Sequence, residues 1–451
     1  MKLNKLFLMA VMGLGLFACS ENELEGNGPE GAQNEGTTYV GFTIDFGEMG
    51  TRATTIGTTP GTDVESKVTT VYALLTNKDQ DAIQNTYLMT PYEYGETGSK
   101  KVKYMFATSP GTYDLYVVVN PDQTDLAGTN KPTKISDYLK TGVTLGVASI
   151  AAENNFMMSS TEETEVYIQD NVSETDAKNG TDATTNNFTV NVERVTAKVT
   201  MTCANPVLTD KSGGDAGGTL NSASFYLKNR ALKSTRMAVS TPLNLDYKTE
   251  GNFESPGEED DATEIKLTGS TDKTGANPVY CLENIQANYE KGGNITYVSL
   301  STVFIPSKVV VCDGTDNGGA EADFKNNSSV ATFRVVTKGT LSGAYILDSD
   351  LTSYKNDNEN KLPAGVEEVS GPYTDGECWF GPIWVGENDD RTSYAIERNH
   401  WYNLNITGIT LPGSPDEIVP DPEIPPHQAT NVAITLTVEP WTTVDRDIDL
   451  Q

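Results

Sequence analysis

The chain has 451 residues, enough for two or three domains, each with its own core. Its formal net charge is −31, from 63 acidic against 32 basic side chains; this argues against nucleic acid as a partner, since phosphate binding needs clustered Lys and Arg, and it keeps copies of the chain soluble and mutually repelling. Charged residues make up only 21% and long blocks of one sign are few, so the chain is not a disordered acidic polymer.

The first 18 residues read as a signal peptide. Lys2 and Lys5 supply a positive start, and Leu6 to Phe17 is an apolar run too short to span a bilayer. Leu16-Phe17-Ala18-Cys19 has the pattern of a bacterial lipobox, with small Ala18 before the cleaved bond and Cys19 as the lipid acceptor. The polar, acidic Ser20-Glu21-Asn22-Glu23 that follows resembles the short tag that routes lipoproteins to the outer face of the cell. No later apolar stretch is long enough for a transmembrane helix, so the lipid is the one membrane anchor in view.

Beyond this leader, helical periodicity is scarce and alternation is everywhere. Val40, Phe42, Ile44 and Phe46 fall on one face of a first strand. Further strands are expected at 68–75 and 113–119, the latter ending at the turn pair Asn120-Pro121. One short helix is expected at Ser136 to Leu139, with Ser136 as its N-cap. An alternating run then extends from Phe188 to Met201, and strands follow at 222–227, 295–304, 308–311, 331–337 and 401–409. Many short strands separated by Gly, Asn, Asp and Ser point to β-sandwiches. Pro412 to Pro426 holds six prolines, which deprive it of donors and bias it to an extended polyproline arm. After it comes one more strand with Val432, Ile434, Leu436 and Val438 on one face. At the end of such an arm it needs a partner sheet, either its own domain or another molecule.

The two ends therefore carry the same pattern, four apolar side chains at period two over seven residues. Burying four such side chains is worth about 6–12 kcal/mol gross. Between the first strand and the body of the chain lies Met49-Gly50-Thr51-Arg52-Ala53, where Arg52 is the one basic residue from Cys19 through Ser66. Its Gly- and Thr-rich surroundings suit a protease. Cleavage between Arg52 and Ala53 would release the lipid together with the first strand and leave a groove for a donor strand from a second copy.

An active site is not legible. The chain has no H-E-x-x-H, G-x-S-x-G or P-loop, so it is not read as an enzyme and no cofactor is expected. His400 reads as structural and His427 as solvated. Asp313 to Gly318 resembles a calcium loop, but the twelfth position is Phe324, so it reads as a surface turn and no metal is expected. Trp379, Phe380 and Trp384 are read as core rather than as a carbohydrate platform. Cys203, Cys281, Cys312 and Cys378 either pair, in one of three connectivities, or remain free thiols; with only two His, zinc is not supported.

The leader, Met49 to Ala53, Phe156-Met157-Met158, Val192 to Val199, Arg398 to Ile406, the Asp-Pro arm and the closing Val438-Glu439-Pro440-Trp441 together resemble the Mfa-like fimbrillins, subunits of type V pili that include the major subunits of short fimbriae. Residues 205–390 share only the general character. The resemblance implies two transthyretin-like β-sandwich domains with Greek-key connections and a C-terminal donor strand on a Pro-rich arm. It implies a signal peptide over 1–18, a propeptide with a removable strand over 19–52, sandwiches over 53–193 and 194–411, a linker over 412–430 and a donor over 431–451. It further implies export to the outer membrane as a lipoprotein, removal of the propeptide by an Arg-specific protease, and head-to-tail assembly with other copies and with anchor and tip subunits into an extracellular fimbria for adhesion and biofilm formation. A tip adhesin or a glycan-binding surface lipoprotein is the alternative.

Overall fold

Alternation at period two does give strands here, and they dominate. The computed structural model describes residues 37–45, 63–94, 101–122, 131–203, 207–209, 215–254, 265–267, 276–312, 321–324, 331–386, 393–409, 412–427 and 432–440, all within the unit Gly36–Gln451. The helices among them are short: α1 (Asp63–Ser66), α2 (Glu174–Asn179) and α3 (Asp348–Asp357) are the ones used below. The protein is all-β.

Two nine-stranded sheets carry the architecture. The first is built from β1 (Thr38–Asp45), β2 (Val71–Asn77), β3 (Ile83–Met89), β4 (Tyr92–Tyr94), β5 (Lys101–Thr108), β6 (Gly111–Val119), β7 (Met158–Ser160), β8 (Thr164–Ile168) and β9 (Asn187–Arg194). Its order is β3-β2-β6-β7-β9-β1-β5-β4, with β8 also on β6. The second is built from β10 (Thr196–Cys203), β11 (Val207–Thr209), β12 (Asp215–Lys228), β13 (Ile265–Lys266), β14 (Val279–Leu282), β15 (Tyr297–Pro306), β16 (Glu377–Trp384), β17 (His400–Ile409) and β18 (Val432–Pro440). Its order is β14-β10-β17-β11-β12-β15-β16, with β13 on β12 and β18 on β17. Both halves share one device: the closing strand lies parallel to the opening one, β9 to β1 and β17 to β10.

Each sheet encloses its own core. Val40, Phe42, Leu75, Leu115, Val117 and Val190 belong to the first; Phe225, Leu300, Phe304, Phe333, Phe380 and Leu404 to the second. A third cluster covers the outer face of β2 and β6, where Tyr72, Leu74, Tyr116 and Val118 meet Met237, Leu245, Phe253 and Leu282 from the second half. Because 71–75 of β2 and 115–119 of β6 are buried on both faces, these stretches are unbroken apolar runs rather than alternating ones.

Two local expectations are corrected. The run from Phe188 to Met201 is not one strand. It breaks at Val195, which is fully buried in the third cluster and gives its N–H to the Met157 carbonyl at 3.1 Å; the chain passes there from one sheet to the other. The short helix is present over Ser136–Lys140, but Ser136 is inside it and Ile135 stands at the cap position without a side-chain bond. The cap comes from elsewhere in the chain, because the Asp81 carboxylate accepts both the Ser136 N–H and its hydroxyl at 2.7 Å. These bonds favour the charged carboxylate and hold Asp81 below its ordinary range.

Candidate functional site

β1 is an inner strand. It pairs antiparallel with β5 over Thr38↔Thr108 to Phe42↔Tyr104, and parallel with β9 over Gly41↔Asn187 to Asp45↔Asn191. Val40 and Phe42 are fully buried, and Ile44 packs partly buried against the same core. The Phe42 ring lies 5.3 Å from Tyr104 and 6.2 Å from Phe106. The fourth residue of the expected removable face, Phe46, lies outside the described residues, as do Cys19, Arg52 and Ala53.

The polar positions of β1 are equally specified. The buried Thr38 hydroxyl donates to the Gln169 carbonyl at 2.8 Å and accepts from the Val172 N–H at 3.1 Å and the Asn186 amide at 3.2 Å. Gly41 lies under α2; a Cβ placed on it would come within 2.6 Å of the Ala177 carbonyl oxygen and 2.7 Å of Asn187 Oδ1. That wall is held firmly. Lys103, only 1% exposed, donates to the carbonyls of Ala177 at 3.4 Å, Lys178 at 3.2 Å and Gly180. Thr43 Oγ1 lies 3.3 Å from Thr189 Oγ1 on β9.

At the other end of the chain, the proline-rich segment is not a free arm. It runs as a strap along the second sheet. Ser414 and Trp379 exchange two backbone hydrogen bonds of 2.8 Å at the edge of β16, and Lys228 pairs with Glu417 at 3.2 Å. The carbonyls of Pro422 and Ile424 accept the N–H groups of Gly293 and Gly292 at 3.1 and 2.8 Å. A Cβ on Gly293 would meet Tyr247 and Pro422 at 2.7 and 2.8 Å, so the close approach needs glycine. Glu423 binds Lys248 at 2.5 Å and the Tyr247 hydroxyl, and the Trp384 indole donates to the His427 carbonyl at 2.9 Å.

The strap delivers β18 to the free edge of β17, antiparallel and over its whole length. Val438, Leu436, Ile434 and Val432 stand opposite Tyr402, Leu404, Ile406 and Ile409. All four partners are buried in the second core, and directly opposed residues share a face of a sheet.

Between the sheets lies a polar junction that no sequence pattern marked. Glu65 of α1, 2% exposed, accepts from Lys198 at 2.7 Å and from the Tyr280 hydroxyl at 2.8 Å. Arg194 donates to the Glu65 carbonyl at 3.2 Å, to Asn399 at 3.2 Å and to Ser66 at 2.9 Å. Lys198 also sits 4.1 Å over the Trp401 ring. Burial pushes Lys198 down and Tyr280 up. Nearby, Arg398 grips Glu283 at 3.1 and 3.2 Å, leaving Glu193 at 4.0 Å with a buried oxygen that accepts no hydrogen bond. Desolvation raises the Glu193 carboxyl to about 7, with Arg398 opposing and Glu283 and Glu397 adding to the rise. The folded chain thus keeps this proton to about pH 7, whereas the unfolded chain loses it near 4.5, so stability falls as pH climbs through that window. Glu193→Gln is expected to match the parent at pH 4 and to exceed it by about 3 kcal/mol at pH 8 in urea unfolding; equal curves at both pH values would show that Glu193 ionises normally.

The other singled-out residues are structural. Phe380 and Trp384 are core, and Trp379 packs its ring 5.5 Å from Tyr226. His400 Nδ1 lies 2.7 Å from the Arg398 carbonyl, and the His427 side chain is exposed. Cys281 and Cys378 are buried thiols outside any disulfide, both pushed up to about 12 by burial. Asp313 to Gly318 and Cys203 offer no described side chains.

Fold and site together define an all-β protein with an inner first strand and a matching last strand strapped to its own second sheet. Residues 372–447 match the family described as major fimbrial subunit protein type IV, fimbrillin, C-terminal. A crystal structure of a cell adhesion protein from Parabacteroides distasonis is 13% identical, with 90% of this chain and 99% of that one covered and a TM-score of 0.51, and shares the fold. A fimbrilin from Porphyromonas gingivalis W83 (16% identical, 91% and 99% covered, TM-score 0.47) and the tip fimbrial protein Mfa3 from Porphyromonas gingivalis (15%, 90% and 100%, 0.40) are also similar. No curated protein matches the chain.

Proposed function

We propose that this protein is a structural subunit of a cell-surface fimbria, exported as a lipoprotein through Cys19, processed between Arg52 and Ala53, and polymerised by strand exchange. In this reading β1 leaves with the propeptide, and β18 of the next copy takes its place between β5 and β9. The observation that carries it is the position of β1. It is bonded on both sides within a core, while the chain ends in a second strand of the same apolar pattern. The division at Val195 supports treating 53–193 and 194–411 as separate sandwiches, the first bearing the groove and the second the donor. The partners are other copies, an Arg-specific protease, anchor and tip subunits, and the outer membrane before processing; the work is structural rather than catalytic.

The test is N-terminal sequencing of the protein in high-molecular-weight material sheared from cells. A start at Ala53 supports processing and assembly. A lipid-blocked Cys19 on a membrane-bound monomer would sink strand exchange and favour a glycan-binding lipoprotein. A start at Ala53 confined to the distal end of the filaments would instead identify a tip adhesin.

A further inference from the structure

A seam of backbone and side-chain bonds joins the two halves, and one arginine pins it. Val143-Thr144 of the first half pairs antiparallel with Lys233-Ser234 of the second. Leu145 donates its N–H to the Leu232 carbonyl at 3.1 Å, and Met237 donates its N–H to the Leu139 carbonyl at 3.0 Å. Ser159 of β7, fully buried, donates its hydroxyl to the Arg236 carbonyl at 2.5 Å, and the Arg236 guanidinium donates to the Tyr138 carbonyl at 3.0 Å. Arg398 holds the same segment from the second half. Its Nη1 donates to the Arg236 carbonyl at 3.2 Å, and its Nη2 to the Thr235 carbonyl at 2.9 Å and to the Thr235 and Ser234 hydroxyls at 3.0 and 3.2 Å.

Glu193 sits beside this pin without engaging it. It stands on β9 opposite Ser159, is 7% exposed, and its Oε1 accepts no hydrogen bond from any described residue. Arg398 Nε lies 4.0 Å away but donates to Glu283 at 3.1 Å instead. A buried carboxylate without donors is costly, and a proton removes that cost. The surrounding charges act from several elements. Arg398 favours the ionised form; burial, the largest effect, opposes it, together with Glu283 just after β14 and Glu397 just before β17. His400 Nε2 lies 3.6 Å from Glu397. Arg194, next along β9, is turned to Glu65, Ser66 and Asn399, and the Arg236 guanidinium lies 4.5 Å over the Tyr138 ring. Two partners of Arg398, Ser234 and Glu283, also line a small cavity with Leu243, Leu245 and Asn284, and Leu243 is exposed, so water can approach the cluster.

We infer that Glu193 and Arg398 form a proton-operated latch on the seam between the halves. While Glu193 holds its proton, Arg398 stays on residues 234–236 and the seam is closed. When Glu193 ionises, it draws Arg398 onto itself and the seam loosens. The two groups must approach by about 1 Å to form a charge-assisted bond. A guanidinium already bonded through all three nitrogens makes that approach only by giving up bonds it has. Opening the seam returns the Glu193 carboxyl to water, where it ionises near 4.5, against about 7 when closed. The closed state is therefore fully favoured below pH 4.5, loses ground up to pH 7 and changes no further above it. The inference stands apart from the strand-exchange reading, since neither β1 nor β18 takes part in it.

The test is amide hydrogen exchange on the full chain, corrected for the intrinsic effect of pH on exchange. It is read at Leu145 and Met237 on the seam, with Ala73 of the inner strand β2 as the reference for global unfolding. The latch requires the seam amides to open more readily than Ala73. It also requires them to lose protection on the order of a hundredfold between pH 4.5 and pH 8, and Glu193→Gln to keep them protected at both. Seam protection that is constant with pH in the parent overturns the inference, whether or not the variant folds. The same loss in Glu193→Gln also overturns it, by assigning the response to another group. Seam amides that exchange only together with Ala73 overturn it as well, because the proton would then act on global unfolding alone.

Discussion

Replacing Phe42 by Ala should cost the unprocessed chain about 3–5 kcal/mol of unfolding free energy, the range for deleting a buried aromatic ring. Phe42 is fully buried between Tyr104 and Phe106 on an inner strand, so the cavity has no route to solvent and little freedom to collapse. The same substitution should have no effect on assembled material, because in the proposed polymer residue 42 is no longer present. It should also speed assembly after cleavage, since a weakened β1 yields its place more readily. Urea unfolding before processing, and disassembly of polymer after it, separate the two. A variant polymer that dissociates at lower denaturant than the parent would mean that β1 stays in the slot.

Glu65→Ala should cost a similar amount, about 3–5 kcal/mol, through a different mechanism. Glu65 is the shared acceptor for Lys198 and the Tyr280 hydroxyl, and removing it strands a cation that burial already disfavours. Volume is not the issue, so Glu65→Leu combined with Lys198→Met should recover most of the loss, as apolar replacements of buried ion pairs commonly do. Thermal unfolding of the two single variants and the pair gives the coupling directly. Additive losses in the pair would show that Glu65 and Lys198 act independently. The junction sits at α1, only eleven residues beyond Arg52, so in the proposed processing it would anchor the new amino-terminal region and keep the two sheets joined once β1 had gone.

The strands were legible because alternation is a direct imprint of one buried face, and β1 and β18 show it in its simplest form. The break at Val195 left only a slip of phase, with apolar positions on even numbers through Val192 and on odd numbers from Val195 onward; what turns the chain there is Val195 entering the third core. The strap was half legible. Its prolines do lack donors, as the composition says, but the carbonyls of Pro422 and Ile424 still accept, and the donors that meet them are Gly293 and Gly292, more than a hundred residues upstream. Glu65, Arg194 and Lys198 carry no pattern that marks them in the sequence. Only the packing of one half on the other buries them, and nothing in their own neighbourhoods announces it.

The two ladders of β1 have a consequence for timing. A cut after Arg52 severs the chain outside β1 and breaks none of its five pairs with β5 or its five with β9. On the proposed processing, the severed strand would stay seated as a stopper, and a cut subunit could be stored, or travel, without presenting an open sheet edge that would invite indiscriminate aggregation. Displacement can then proceed pair by pair from one end, each bond surrendered as a new one forms, so the vacant groove is never populated. In the proposed assembly the protease would set when a subunit becomes competent, and the arrival of a matching strand would set when it commits.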